Sequence, residues 1–337
     1  MDKTAAESYI YAKASGILGK SFIGDRASRL FEVKSLSELW SLIFGSTPPA
    51  IPEIMLAEEI EKQAFKKFIS QYVYFIEKFD TPDSVLIDQL CIFEAENIKE
   101  VCSALSAGEQ KCPELIDLGK YTRLNYKAWP DIKQITAGTP YAWYDHVATI
   151  HEQQKLEFKI DLQVIHNLWN SIQKTKGDVH DSLQKLYERE YSVKNIIWAL
   201  RLKINYKMDN EKIIQNLLYV TDAPNAADPV AGPAIAILNK QLDNYAEWEN
   251  WKYSELINPH VAGEVWSIDP TWMEGKNRIA INKMALLLFH QYPMTTSALI
   301  GWYKIKMFEL SCIRTAVESL RMEINSQDAM KVVGVGE

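Results

Sequence analysis

The residues of this chain that come closest to a known chemical motif are those of ASGILGKS, from Ala14 to Ser21. With Ala14 in place of the usual first glycine, the spacing matches a loose phosphate-binding loop, in which Lys20 contacts phosphates and Ser21 a magnesium ion. The segment VLID, from Val85 to Asp88, could supply the carboxylate of a magnesium-binding strand. One hypothesis is therefore a nucleotide hydrolase that uses Lys20 and Ser21.

The segment before this motif argues against that chemistry. A phosphate-binding loop needs a buried strand before it, so that backbone N–H groups and a helix N-terminus converge on the phosphates. The preceding AAESYIYAK instead places Ala5, Tyr9 and Ala12 at helical spacing. We interpret this region as a helix face of small residues, against which another helix can pack closely.

Metal ligands and nucleophiles are also missing from the sequence patterns. No histidine has a Glu three residues before it, which is the spacing used by di-iron bundles. On a helix, His146 and His151 would point about 140° apart. There is no GxSxG nucleophile motif. We predict no catalytic residue, no metal and no cofactor.

Composition and charge argue against some classes of partner. The 337 residues include 37 Lys and Arg against 44 Asp and Glu, which gives a net charge of −7 with both signs scattered along the chain. Nucleic-acid-binding proteins usually gather basic charge into a stripe, so we expect no nucleic-acid partner. The four cysteines form no CxxC pair, which predicts reduced thiols in a cytoplasmic protein.

The sequence predicts no direct membrane anchor. MDKTAAESYIYAK at the start of the chain lacks the apolar core of a signal peptide. The most apolar segment, MALLLFHQYPMTTSALIGWYKI, is interrupted by His290, Gln291 and Pro293 before it reaches the length of a bilayer crossing. Any contact with a membrane is therefore expected to pass through another protein.

Long amphipathic helices must position whatever surface this protein uses. From Met55 to Phe79, apolar residues recur at the i, i+4 spacing of a helix. In the following DTPDS, Thr81 can cap a second helix that has Pro82 at its first position. That second helix contains FEAENIKEV and ends near Gly108, so we predict an antiparallel helical hairpin.

The same plan recurs between Gln163 and Tyr206 and between Ile281 and Asn325. The three second helices align without gaps on Asn97, Asn195 and Cys312, which we call the anchors. Four residues before each anchor is an aromatic residue (Phe93, Tyr191, Phe308), and three residues before it are Glu94, Ser192 and Glu309. An isoleucine follows each anchor (Ile98, Ile196, Ile313). Three matches in three successive hairpins predict an internal triplication.

No part of the helical chain shows the alternation typical of a sheet, so we predict an all-α fold. Two segments interrupt the helical pattern: GEQKCPEL, from Gly108 to Leu115, and DAPNAADPVAGP, from Asp222 to Pro233. They divide the chain into three predicted repeat units, residues 1–110, 111–225 and 226–337. We interpret the repeated frame as the face by which each unit packs.

The chain also resembles a known family. YIYAKASGILGKSFIGDRASRLFEVKSLSELWSLIF, from Tyr9 to Phe44, is similar to the opening of the C subunit of archaeal and bacterial V-type ATPases, the counterpart of the eukaryotic d subunit. KMFELSCIRTAVESL, from Lys306 to Leu320, resembles the closing helix of that family. Cys312 stands where the family favours Asn, and Ser192 where it favours an acid.

The resemblance implies a funnel of three similar helical-hairpin domains around a pseudo-threefold axis. It implies a non-catalytic rotor subunit, present once per complex and peripheral to the inner face of the cell membrane. Its partners would be the central shaft, made of two other subunits, and the proteolipid ring. It would transmit torque between ATP hydrolysis or synthesis and the transport of protons or sodium ions.

The loops that join the helices of each hairpin are the candidate partner contacts. We hypothesise that they form one rim of the funnel, and the residues named for this role are Thr81, Asp83, Lys176, Asp178, Tyr292 and Thr295. Two other hypotheses stay open: the nucleotide hydrolase described above, and a free-standing scaffold of helical repeats in an open row. Closure of the three units around an axis would distinguish the rotor subunit from the scaffold.

Overall fold

Helices make up all of the regular structure in residues 1–149, 151–261 and 263–335, the ranges that this computed structural model describes. The predicted all-α fold is therefore confirmed. The α-helices in chain order are α1 (Lys3–Leu18), α2 (Leu36–Phe44), α3 (Glu53–Ile76), α4 (Ser84–Ser106), α5 (Ile132–Thr136), α6 (Gln153–Gln173), α7 (Gly177–Tyr206), α8 (Asn210–Gln215), α9 (Gly232–Ile235), α10 (Pro270–Gln291), α11 (Thr296–Arg321) and α12 (Ser326–Val333). The six long helices α3, α4, α6, α7, α10 and α11 are those of the three predicted hairpins.

The cap predicted at Thr81 lies two residues further along the chain. Helix α4 begins at Ser84, and Asp83 occupies the cap position without bonding to its own helix. Its carboxylate instead accepts hydrogen bonds from Lys3 Nζ at 2.7 Å and from Thr296 Oγ1 at 2.5 Å. The local sequence could not show this, because both donors come from distant parts of the chain.

The helices of each predicted pair also pack on the neighbouring pairs. The second helix of one pair lies against the first helix of the next: α4 on α6, α7 on α10, and α11 on α3. The contact between α11 and α3 joins the third pair back to the first. In an open row of repeats, each repeat contacts only its sequence neighbours, so this contact favours closure over a row.

The three pairs differ in how closely their two helices approach. Helices α10 and α11 are the closest, because a Cβ atom at Gly301 would lie 2.7 Å from the carbonyl oxygen of Ala285. Helices α3 and α4 touch through side chains, with the ring centroids of Phe65 and Phe93 5.2 Å apart. Further along, residues 114–117 pack against α3 on the side that faces α4.

The hydrophobic core has one central part and three outer parts. Aromatic side chains dominate the central part, where α3, α4, α7 and α11 meet; among them are Phe68, Tyr72, Phe75, Tyr187, Trp302 and Tyr303. Each outer part joins the later half of a second helix, the segment that packs on it, and the first turns of the next first helix. Each outer part contains one of the repeated isoleucines, Ile98, Ile196 or Ile313, so these residues of the frame hold equivalent positions.

The third outer core is completed by the start of the chain. Leu30, Leu36 and Leu39 pack there with Ile313 and Ala316 of α11. In the other two outer cores, the equivalent segment follows its own second helix in sequence. The boundaries predicted at residues 110 and 225 stay a prediction. The outer core of α4 includes residues beyond 110, and the outer core of α7 includes residues beyond 225.

Candidate partner-binding surfaces

The anchors Asn97 and Asn195 hold backbone segments against their helices. The buried amide of Asn97 accepts a hydrogen bond from the Ile116 N–H and donates one to the Ile116 carbonyl, each at 2.8 Å. Asn195 repeats this with Leu218, at 2.9 Å and 2.7 Å, and also donates to the carbonyl of Val230 at 2.9 Å. Buried backbone groups need such partners, so the anchors fix the segments that cap the second helices.

The acids three residues before the anchors hold the same segments further along. Glu94 Oε1 accepts hydrogen bonds from the N–H groups of Arg123 and Leu124, the second at 3.1 Å. Glu309 Oε1 accepts one from the N–H of Phe22 at 2.7 Å. Burial raises the pKa of Glu94, although the two amides that donate to it and the Arg123 charge act in the opposite direction.

The two departures from the family pattern both have a local cause. Ser192 donates to the carbonyl oxygen of Pro229 at 3.0 Å, and a carboxylate there would face another oxygen. At the third anchor, Cys312 lies among apolar side chains of the third outer core, including Leu30, Leu36 and Leu39 from the start of the chain. Cys312 is therefore buried as an apolar residue, and burial raises the pKa of its thiol to about 12.

Three equivalent residues of the repeat meet near the centre of the molecule. Gln89, Tyr187 and Lys304 each lie eight positions before an anchor. The Tyr187 hydroxyl donates to the side-chain oxygen of Gln89, and Lys304 Nζ lies 4.9 Å from the centroid of the Tyr187 ring. Lys304 also pairs with Glu190 of α7 at 2.7 Å. The first halves of α4, α7 and α11 therefore converge at Gln89, Tyr187 and Lys304, which we call the central contacts.

The same three helix faces reach solvent further along. Positions one before and three after each anchor continue the faces of Gln89, Tyr187 and Lys304, because seven residues make almost two full turns. They are exposed on α4 and α7 and half-buried on α11. We call them the walls: Glu96 and Glu100 on α4, Lys194 and Trp198 on α7, Ser311 and Thr315 on α11. Gln89 and Tyr187 are buried and the wall positions of α4 and α7 are exposed, so we call the end with the central contacts the closed end and the end with the walls the open end.

The three predicted contact loops are linked at the closed end. Thr296, which follows the α10–α11 loop, bonds to Asp83 of the α3–α4 loop at 2.5 Å. Its neighbour Ser297 shares a buried hydrogen bond of 2.8 Å with Ser182, in the first turns of α7. Of the predicted contact residues, Thr81, Lys176 and Asp178 are exposed, and Asp83, Tyr292 and Thr295 are half-buried. We call this end, formed by the three loops, the loop rim.

Comparison with known proteins identifies the family of this chain. The family described as the ATP synthase (C/AC39) subunit matches residues 12–331. The chain belongs to the C/AC39 family. The resemblance to this component of V/A-type ATPases is thereby confirmed. An uncharacterized protein of Treponema pallidum (strain Nichols) is 22% identical over 320 residues, which cover 95% of this chain and 94% of that protein.

The motif ASGILGKS of this C/AC39 chain lies at the end of a helix. Helix α1 ends at Leu18, and the Arg26 guanidinium donates to the carbonyls of Leu18 and Ser21 at 2.8 Å and 2.9 Å. The Ser21 hydroxyl accepts from Lys306 Nζ at 3.0 Å, and Lys20 is exposed. A helix C-terminus presents carbonyl oxygens and the negative end of the dipole, which repel phosphate. The face that α1 buries is formed by Ala6, Ile10, Ala14 and Leu18, whereas Ala5, Tyr9 and Ala12, the positions named from the sequence, are exposed.

The walls and the central contacts are the features of this C/AC39 chain that sequence patterns missed. No shared residue type marks them, because each wall has a different chemistry. The only signal in the sequence is position: the central contacts lie eight residues before the anchors, and the wall residues lie seven and eleven residues after the central contacts. Among the helices in the described ranges, none has the length and apolar character that a bilayer crossing requires.

Proposed function

We propose that this chain is a non-catalytic rotor subunit that couples the central shaft of a V/A-type ATPase to the proteolipid ring. It carries torque between ATP hydrolysis or synthesis and the transport of protons or sodium ions. One copy serves each complex, in the cytoplasm against the inner face of the membrane, and contacts the membrane only through the ring. Membership of the C/AC39 family supports the general role.

The observation that carries this proposal is the meeting of Gln89, Tyr187 and Lys304. Equivalent residues of three repeats come together only where the repeats surround a common axis. Together with the contact between α11 and α3, this favours a funnel of three helical domains around a pseudo-threefold axis. Each long helix is then packed against neighbours on both sides, which gives the stiffness that torque transmission needs.

The two ends of the funnel are proposed to have different partners. The shaft enters the open end between the walls, and the loop rim faces the ring. Large exposed apolar side chains mark protein contacts when they gather in one region. Four of them lie where long helices end or begin at the open end: Ile54, Tyr206, Trp272 and Met322, which are 65%, 69%, 40% and 67% exposed.

Co-purification from native membranes tests the role. A tagged chain, isolated in mild detergent from the organism that encodes it, is expected to bring down the shaft subunits and the ring together. The purified chain alone is expected to hydrolyse no ATP. Lys20→Ala serves as the matched control and should leave co-purification unchanged. Recovery of neither partner, or an ATP hydrolysis that Lys20→Ala abolishes, would overturn the proposal in favour of the hydrolase.

Site-directed cross-linking tests the assignment of the two ends. Three of the four cysteines are buried and Cys112 is half-buried. Cys112→Ser is therefore the parent protein into which the single cysteines are introduced. Single cysteines introduced by Thr81→Cys, Lys176→Cys and Met294→Cys are expected to cross-link to ring subunits. One introduced by Glu100→Cys is expected to cross-link to the shaft. The opposite pattern would reverse the two ends, and loop cysteines that label unrelated partners would exclude a common rim.

A further inference from the structure

We infer that the three walls differ in chemistry so that the shaft binds in only one of three orientations. We call this set of wall residues the key. This inference depends on the proposed function, since it concerns how the open end receives the shaft. Three similar walls around an axis would offer a partner three equivalent ways to dock. A coupling that carries torque needs one of them, and selection requires that the wrong orientations bring unfavourable contacts.

The chemistry of the walls differs at every equivalent position. Glu96 and Glu100 form an acidic wall, of which Glu96 pairs with Lys99 at 3.2 Å while Glu100 has no ion-pair partner within 4.0 Å in the described chain. Lys194 of the second wall is likewise without an ion-pair partner among the described residues. Its Nζ lies 6.0 Å from the centroid of the Tyr191 ring.

The second wall also carries the one aromatic residue of the key. Trp198 is 38% exposed, although a large aromatic side chain on a long helix is usually buried. Beside it lies a cavity of about 300 Å³, which is lined by the apolar Phe158 and Leu218 and also by Lys194 and by the acids Glu157 and Asp161 of α6. Trp is enriched among the residues that contribute most of the binding energy in protein interfaces. The cavity is large enough to take an aliphatic side chain of a partner.

The third wall is uncharged at both positions. Ser311 accepts a hydrogen bond from Arg278 of α10 at 3.0 Å, and Thr315 follows one turn later. This wall is the most covered of the three, because α10 packs closely on α11. Neither wall position is itself charged, and within the described ranges the only charged group that the structure bonds to them is the Arg278 guanidinium at Ser311.

These three chemistries define the partner. The end of the shaft should carry basic side chains on the side that meets α4. On the side that meets α7 it should carry an acid opposite Lys194 and an aliphatic residue for the cavity beside Trp198. Turning such a shaft by one third would place its acid against Glu100 or would leave Lys194 unpaired. Like charges brought together at an interface oppose the wrong partner or orientation.

Binding to the purified two-subunit shaft of the same organism tests the key. Lys194→Glu and the pair Glu96→Lys, Glu100→Lys are expected to weaken binding about tenfold or more at low salt, and less at high salt because the effect is electrostatic. Trp198→Ala is expected to weaken it at least tenfold, with little dependence on salt. The matched controls are Lys185→Glu, an exposed lysine on α7 outside the walls, and Leu287→Ala, which removes an exposed apolar side chain of α10 near the loop rim.

The orientation of the bound shaft is measured with a variant in which the wall residues of α4 and α7 are exchanged. The variant with Glu96→Lys, Glu100→Trp, Lys194→Glu and Trp198→Glu moves the key from α7 to α4. Spin labels on the shaft and on the outside of α10 then report their distance in wild type and variant. A changed distance is expected, because the shaft should follow the key.

Each outcome separates the two proposals. If the wild-type chain fails to bind the shaft, the proposed function and the key both fall. If it binds, but the wall variants match the controls in affinity, the function stands and the key is wrong. An unchanged label distance in the wall exchange also overturns the key, since the orientation would then be set elsewhere.

Discussion

Asn97 and Asn195, 98 residues apart in the chain, make the same pair of hydrogen bonds to the backbone of a single residue. The partner is Ile116 for one and Leu218 for the other, and all four distances lie between 2.7 and 2.9 Å. A side-chain amide can donate and accept at once, so one Asn satisfies both backbone groups of a residue in a core. The repeat is thus preserved where a capping segment has to be held by its backbone.

Loss of the Asn195 amide is expected to destabilise the protein strongly. Asn195→Ala leaves the N–H of Leu218 and the carbonyls of Leu218 and Val230 without this partner inside the core. Each unsatisfied buried group costs about 1–3 kcal/mol, so we expect the free energy of unfolding to fall by about 3 kcal/mol or more in urea titrations. Asn205→Ala, at an exposed position of the same helix, is the control. Equal losses for the two variants would refute the anchoring role.

The link between the second and third loops can be measured with a double-mutant cycle. The hydroxyls of Ser182 and Ser297 share a buried hydrogen bond, so Ser182→Ala and Ser297→Ala should not be additive. We expect a coupling energy of about 0.5–1.5 kcal/mol from urea unfolding of the single and double variants. Pairing Ser182→Ala with Ser103→Ala, an exposed serine of α4, should give additive effects. Additivity in both cycles would mean that the loop rim is not joined through these residues.

Much of the fold follows from local patterns in the chain. The six long helices were predictable because their apolar residues recur at helical spacing, and the repeat frame because Phe93, Tyr191 and Phe308 have equivalent positions. The cap of α8 is equally local, since the Asp209 carboxylate accepts from the Lys212 N–H at 2.9 Å. These features depend on neighbours in the sequence.

The features that the sequence did not predict depend on distant partners. Asp83 takes the place expected for Thr81 because its carboxylate bonds to Lys3 and Thr296, which are far from it in the chain. The start of the chain completes the third outer core, which no local pattern could indicate. The walls could not be predicted because their residue types differ from one repeat to the next.

Close packing between α10 and α11 should make Gly301 intolerant of a side chain. In Gly301→Ala the new Cβ would lie 2.7 Å from the Ala285 carbonyl oxygen and 3.0 Å from the Phe289 nitrogen. Overpacking of this kind costs about 1–3 kcal/mol, which thermal or urea unfolding can measure. Gly16→Ala in α1 is the matched control, because nothing lies within 4 Å of its Cβ. That change should stabilise the protein by about 0.5–1 kcal/mol, since Ala favours a helix over Gly.

Burial of Glu94 should make stability depend on pH. Burial raises the pKa of this carboxyl in the folded protein above its ordinary value, so the folded state binds the proton more tightly than the unfolded state. The stability from this group is full below the unfolded pKa, about 4.3, and is lost as pH rises through the folded pKa. Glu94→Gln removes the titration while keeping an oxygen that can accept from Arg123 and Leu124.

Urea unfolding of wild type and Glu94→Gln from pH 4 to pH 8 measures this effect. The stability of wild type relative to the variant is expected to fall as pH rises, and to level off once Glu94 is ionised in both states. Glu100→Gln removes one negative charge from the exposed face of the same helix and controls for net charge. A wild type that gained stability over Glu94→Gln with rising pH would show that the amides of Arg123 and Leu124 outweigh desolvation. The carboxylate would then hold its segment most tightly in its charged form.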